Sequence, residues 1–193
     1  MGANSNGGSC QTPGREPLNI YALVIYIPDP LGRLLDDLRR ELVPHYNPHA
    51  HVSVLPPRSI SVNWQIASEQ ARALAESWSP FDIELTTLGV FPGTNVLYLE
   101  VGAGASELRR MHAAMNAGPL GFCEPFAYHP HVTLAQEVAC DQVPALCELA
   151  NRRWAEYGGS RSFRATHGVF VQNTSDNCWV DLADYSFGVV SVK

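Results

Sequence analysis

The sequence predicts an α+β fold of two lobes. Antiparallel sheets flanked by helices form each lobe, a pseudo-twofold relates them, and a cleft lies between. Three observations carry this. Strand-like and helix-like segments follow one another in mixed order, and several strand pairs are joined by short turns, which favours antiparallel pairing over a doubly wound parallel sheet. The chain contains no G-x-G-x-x-G, no P-loop and no G-x-S-x-G. Most telling, HAHVSV at residues 49–54 returns as HPHVTL at residues 129–134. A duplicated strand of this kind places one copy in each of two related lobes, with the two copies facing across the cleft.

The elements follow in order. Residues 19–27, NIYALVIYI, are β-branched and aromatic and read as a buried strand. Asp29-Pro30 then supplies an N-cap and a proline at the first helical position. Leu31, Leu34, Leu35, Leu38 and Leu42 continue at helical spacing until Pro44. The first His strand covers about 50–55 and should stop at Pro56-Pro57. A helix over about 64–78 sets Ile66, Ala67, Ala71, Leu74, Ala75 and Trp78 on one stripe. FDIELTTLGVF and NVLYLEV are two strands around a Pro-Gly turn. A helix at about 105–117 carries Leu108, Met111, His112 and Met115 and ends at Gly118. The second His strand covers about 130–136. Asp141 opens a helix to about 156 that turns Val143, Leu146, Ala150 and Trp154 inward, with Gly158 beyond. Strands at 162–172, 177–183 and 185–190 finish the chain. Residues 1–17 read as a disordered tail, and 18–193 as one bilobal domain.

With 193 residues, 46% of them hydrophobic, the chain can build one sizeable core or two small lobes sharing one. Its net charge of −6 gives no basic excess for an extended duplex, so a nucleotide ligand would be short or a chain end. The five cysteines, at 10, 123, 140, 147 and 178, form no C-x-x-C, so neither a disulfide framework nor a thiolate zinc site is indicated. No apolar run approaches membrane-spanning length. The N-terminus does not read as a signal peptide, and Asn6 stands where myristoylation needs Ser or Thr. The expectation is a cytoplasmic monomer that does not engage a membrane.

Within each repeat the second His and the hydroxyl are two residues apart, so they share a strand face. His51 with Ser53, and His131 with Thr133, thus present one imidazole and one hydroxyl twice. Such a set suits a reaction that needs a base, an acid and hydroxyls that bind an anion. The bland reading is a duplicated core strand. A rival reading takes His49, His51, His129 and His131 as zinc or copper ligands in a metal-binding protein or metallohydrolase. It leaves the repeated hydroxyls unexplained and finds no carboxylate beside either motif. A third reading keeps the cleft but makes it bind a nucleotide without turnover. Weaker candidates surround the motifs. Tyr128 and Phe126 could stack a base, against the alternative of packing in the cleft wall. Arg58 could meet a phosphate or sit in a solvated loop. His45, His112 and His167 read as surface or structural, and Arg39-Arg40, Arg109-Arg110 and Arg152-Arg153 as solvated helix faces.

Paired H-φ-[ST]-φ strands about 80 residues apart resemble the 2H phosphoesterase superfamily, also described as 2′-5′ RNA ligase-like proteins. The likeness covers roughly residues 18–190 and includes the opening strand and helix, FDIELTTLGVFPGTNVLYLEV, the helix ending in HAAM, and the last strands. The resemblance implies a bilobal α+β fold without metal or other cofactor, acting on 2′,3′-cyclic phosphates or 2′-5′ phosphodiesters, with RNA ligation in the family's range. It implies His51, Ser53, His131 and Thr133 as catalytic positions, with His131 as base and His51 as acid. The partner would be a small nucleotide or an RNA terminus. Many relatives carry a basic residue after the second motif where this chain has Gln136, and histidine at both 49 and 129 is not part of the general signature.

Overall fold

The computed structural model describes residues 15–44 and 49–188. The predicted tail up to residue 14, His45, and the end of the last predicted strand lie outside them. Eight strands form two four-stranded antiparallel sheets, and four α-helices flank them. β1 (Pro17–Tyr26), β2 (His51–Arg58), β7 (His167–Thr174) and β8 (Trp179–Ser186) make the first sheet in the order β2-β1-β7-β8. β3 (Phe81–Val90), β4 (Leu97–Val101), β5 (His131–Ala135) and β6 (Ser162–Ala165) make the second in the order β5-β4-β3-β6.

The internal repeat is a strand-helix-strand unit. β1, α1 (Leu31–Leu42) and β2 form the first copy; β4, α3 (Ala105–Met115) and β5 form the second. In each copy the two strands pair directly, and the His strand ends up at the sheet edge. The halves then exchange strands. After β2 the chain passes through α2 (Trp64–Ala75) to β3, which pairs with β4 of the other lobe. After β5 it passes through α4 (Val143–Glu156) and β6 to β7, which pairs with β1. Helices cross as well: α1 packs against β5, and α3 against β2. One continuous core therefore runs through both lobes, including Leu23, Leu35 and Val52 from the first unit and Leu99, Leu108 and Val132 from the second.

Several local features depart from the sequence expectation. β1 begins at Pro17, and the residues before it are held by an Arg15–Asp176 ion pair and by Ser175 N–H on the Glu16 carbonyl. β2 runs through Pro56 and Pro57 to Arg58. It is an edge strand, where a missing N–H disturbs no second neighbour, and irregular pairing between Tyr21 and Val24 of β1 absorbs the prolines. Helix α1 starts at Leu31, so Pro30 takes the N-cap place expected for Asp29, whose carboxylate lies one residue earlier and accepts from Arg33 N–H at 3.1 Å. Helix α2 starts after Asn63, whose side chain accepts from Gln65 N–H. Its inner stripe is Ala67, Ala71 and Ala75, whereas Ile66 is 55% exposed. The predicted strand at 162–172 is two strands broken at Thr166, because β6 pairs with β3 while β7 pairs with β1 in the other sheet. The predicted breaks near 183–185 vanish, since β8 continues to Ser186.

Candidate active site

The alternation read in the sequence sets the side chains. Along β2, His51 and Ser53 are part-exposed while Val52 and Val54 are buried; along β5, His131 and Thr133 are part-exposed while Val132 and Leu134 are buried. β2 and β5 are the facing edges of the two sheets, so both polar faces open into one cleft of about 1030 Å³. His51, Ser53, His131 and Thr133 all line it.

Both imidazoles are held in the same way. His51 Nδ1 lies 2.8 Å from the His49 carbonyl, and His131 Nδ1 lies 2.6 Å from the His129 carbonyl. A carbonyl only accepts, so each Nδ1 carries the proton and donates it, and each neutral ring presents Nε2 as its acceptor. The residue two before each motif His thus acts through its backbone, which any residue type can supply. Burial pushes the His51 ring down to about 4, and the nearby charges of Arg39, His131 and His49 add to the push. Burial also pushes His131 down, helped by His129, while Glu100 pulls it up.

The side chains at 49 and 129 diverge. His129 lines the cleft, and its Nε2 donates to Glu100 Oε2 at 2.8 Å. His49 is not in the cleft lining; its Nδ1 faces Asp36 at 3.9 Å, and its ring meets Tyr26 edge-on. With His49 outside the cleft lining and His129 Nε2 engaged by Glu100, the four histidines do not converge. Among the described residues no three His, Cys, Asp or Glu side chains form a set able to hold a metal ion. The four described cysteines are free, and no described helix is long and apolar enough to cross a membrane.

Aromatic groups wall the cleft. Phe91 stacks on Tyr98 at 4.0 Å, and both meet the edges of His129 and His131. Tyr26, paired with His51 across β1 and β2, donates its hydroxyl to Asp181 at 2.7 Å. Phe126 lines the cleft while 73% exposed. Tyr128 also lines it, but its hydroxyl donates to the Ser53 carbonyl at 2.7 Å and its ring lies flat on His112 at 3.9 Å.

Arg58 and His112 take other places than the sequence suggested. Arg58 is 3% exposed and is not in the cleft lining. Its guanidinium donates to Glu124, to Asn116 Oδ1 at 2.7 Å, and to the carbonyls of Leu120 and Pro56. His112 is buried, with Nδ1 donating to the Val54 carbonyl at 2.9 Å and Nε2 3.4 Å from Glu124. Together they fasten the 121–130 loop, which carries Phe126 and Tyr128, to β2. Arg39 reverses the expectation too. It is no solvated helix face: it is buried and lines the cleft. The signal was present, because Arg39 follows Leu31 and Leu35 at four-residue steps on the apolar stripe of α1. Phe91 and Tyr98 lie outside both motifs, and only strand pairing brings them beside His131.

A sequence model of the 2′-5′ RNA ligase superfamily matches residues 27–177, which include both His strands. The chain belongs to the 2′-5′ RNA ligase superfamily. The RNA 2′,3′-cyclic phosphodiesterase of Aeropyrum pernix is 38% identical over 95 residues, covering 46% of this chain and 54% of that relative. The chain thus spans about half the length of that relative. The fold is that of Escherichia coli LigT in its apo form, with a TM-score of 0.61 at 16% identity over 90% of this chain and 99% of LigT. A Thermus thermophilus protein superposes with a TM-score of 0.61 at 18% identity, covering 88% and 98%.

Proposed function

We propose that this protein is a metal-independent phosphoesterase that hydrolyses 2′,3′-cyclic phosphates of nucleotides or RNA ends to 2′-phosphates. 2′-5′ phosphodiesters, and ligation as the reverse reaction, lie within reach of the same groups. The observation that carries the reading is the pair of cleft imidazoles, each fixed by a backbone carbonyl at Nδ1 so that Nε2 is the working atom. The activity named for the Aeropyrum pernix relative, and the crystallisation of Escherichia coli LigT with 3′-AMP, support a small phosphate ester as substrate.

Opening the ring needs a base for the attacking water and an acid for the departing 3′-oxygen on the far side of phosphorus. One neutral imidazole takes a proton from water as the new O–P bond forms. The other, protonated, delivers its proton to the 3′-oxygen as the P–O3′ bond breaks. Ser53 and Thr133 hydroxyls donate to the non-bridging oxygens as charge gathers there. Burial disfavours a proton on either ring, and a phosphate anion between them favours it. Arg39 opposes that proton at His51; at His131 the charge of His129 opposes it and Glu100 favours it more weakly. Both rings are pushed the same way, so the roles follow the family resemblance, with His131 as base and His51 as acid. Phe126 and Phe91, both in the cleft lining, offer faces for a base.

The test is a substrate panel with a chelator present: nucleoside 2′,3′-cyclic phosphates, an RNA ending in one, and a 2′-5′ dinucleotide, with products identified. Conversion of the cyclic phosphates to 2′-phosphates is expected. Turnover that disappears on chelation and returns with zinc would replace this reading with a metallohydrolase.

A further inference from the structure

Helix α1 carries a residue that the repeated His strands do not account for. Arg39 is 8% exposed, yet it lines the cleft together with His51, Ser53, His131 and Thr133. Among the described residues it is the only arginine or lysine in that lining. Charged groups are kept on a buried stripe only where they are paired or used. Asp36, one turn earlier, lies 3.3 Å from the guanidinium. The same carboxylate accepts the Ala50 backbone N–H, next to His51. Helix α1 is thereby tied to the start of β2, and the cation is set beside the reacting imidazole.

The repeat supplies a contrast. Leu35, Leu38, Arg39 and Leu42 of α1 have the spacing of Leu108, Met111, His112 and Met115 of α3. His112, at the corresponding place, faces Val54, Glu124 and Tyr128 and does not line the cleft. One position fastens a loop; the other presents a positive charge to the cavity. The need for one is clear. The chain carries a net charge of −6, and Gln136 and Glu137 at the end of the second motif line the cleft without positive charge. A phosphate entering there meets no other arginine or lysine in the described lining.

We propose that Arg39 is the phosphate-binding residue of this site, its planar N–H fork taking the non-bridging oxygens of an ester lodged between His51 and His131. The assignment rests on the phosphoesterase reading of the cleft. It makes anionic phosphate esters the preferred class over neutral triesters, and it sets Arg39 on the His51 side of the phosphorus.

The experiment uses inorganic phosphate as the binding probe and adenosine 2′,3′-cyclic phosphate as substrate, with the wild type, Arg39→Gln and Arg39→Lys. Saturating phosphate should shift the Arg39 Nε–H resonance of the wild type. Arg39→Gln should weaken phosphate binding about 10- to 100-fold, the range for losing a charge-assisted hydrogen bond, and lower kcat/KM at least as much. Arg39→Lys should recover part of both. Absence of saturable phosphate binding, an unmoved Arg39 resonance, or wild-type phosphate affinity in a folded Arg39→Gln overturns the assignment. Should Arg39→Gln fail to fold, as judged by circular dichroism, the wild-type resonance and Arg39→Lys decide. If phosphate engages Arg39 but none of the cyclic or diester substrates is turned over, the phosphoesterase reading falls and the assignment of Arg39 stands.

Discussion

Two histidines at equivalent places of a repeat do not stand in equivalent fields. His51 has the Arg39 guanidinium for a neighbour, His131 has His129 and more weakly the Glu100 carboxylate, and burial pushes both rings down. His51→Ala and His131→Ala should each cut turnover about 10²- to 10⁴-fold, the range for a positioned acid or base. Ser53→Ala and Thr133→Ala should each do less, since each removes one hydrogen bond among several. A 3′-thio cyclic phosphate, whose thiolate leaves without a proton, should restore turnover to His51→Ala and not to His131→Ala. Rescue of the His131 variant alone would reverse the roles. Folding stability should show the same residue. The native state refuses the His51 proton down to about 4, whereas an unfolded histidine accepts it near 6.5. The unfolded chain therefore binds more protons in that window, and this contribution to stability is lost as pH falls from about 6.5 towards 4. Denaturant melts of His51→Gln should show a shallower decline there than the wild type.

At the scale of elements, the 121–130 loop decides whether the cleft has an aromatic wall. Arg58 and Glu124 form a buried ion pair beneath it, reinforced by Asn116 and by His112. Removing one partner strands the other's charge, so Arg58→Ala should destabilise the fold by about 3–5 kcal/mol, measured by chemical denaturation. Phe126→Ala makes the opposite pattern. Its ring is exposed, so stability should hold while KM rises for base-bearing substrates relative to ribose 2′,3′-cyclic phosphate, by about 1–3 kcal/mol of lost stacking at most. Equal KM changes on both substrates would remove Phe126 from base binding. The sequence could place both residues beside the motifs. It could not tell an arginine buried under a loop from one in a cleft, because that depends on where Glu124, distant in sequence from Arg58, comes to rest.

The whole molecule is interlocked by exchange of β3 and β7 between the lobes and by crossing of α1 and α3 onto the opposite His strands. The single core that results should unfold in one transition, with tryptophan fluorescence and far-UV circular dichroism giving the same midpoint. Separate midpoints would mean that the lobes hold independent cores.

Alternation along HAHVSV and HPHVTL by itself determined that His51 and Ser53 share a face, as do His131 and Thr133, because a strand has a period of two whatever it packs against. Periodicity likewise determined the four helices, and short turns the antiparallel class. Tertiary structure alone decided which polar residues reach the cleft. Arg39 and Arg58 look alike in the sequence, yet one lines the cavity and the other is sealed beneath a loop. It also decided the split at Thr166, since a strand's partner is chosen by sheets that residues far away complete. The electrostatic difference between the two histidines belongs to the same class. Burial and the approach of Arg39, His129 and Glu100 set it, and both depend on distances through space that spacing along the chain does not encode.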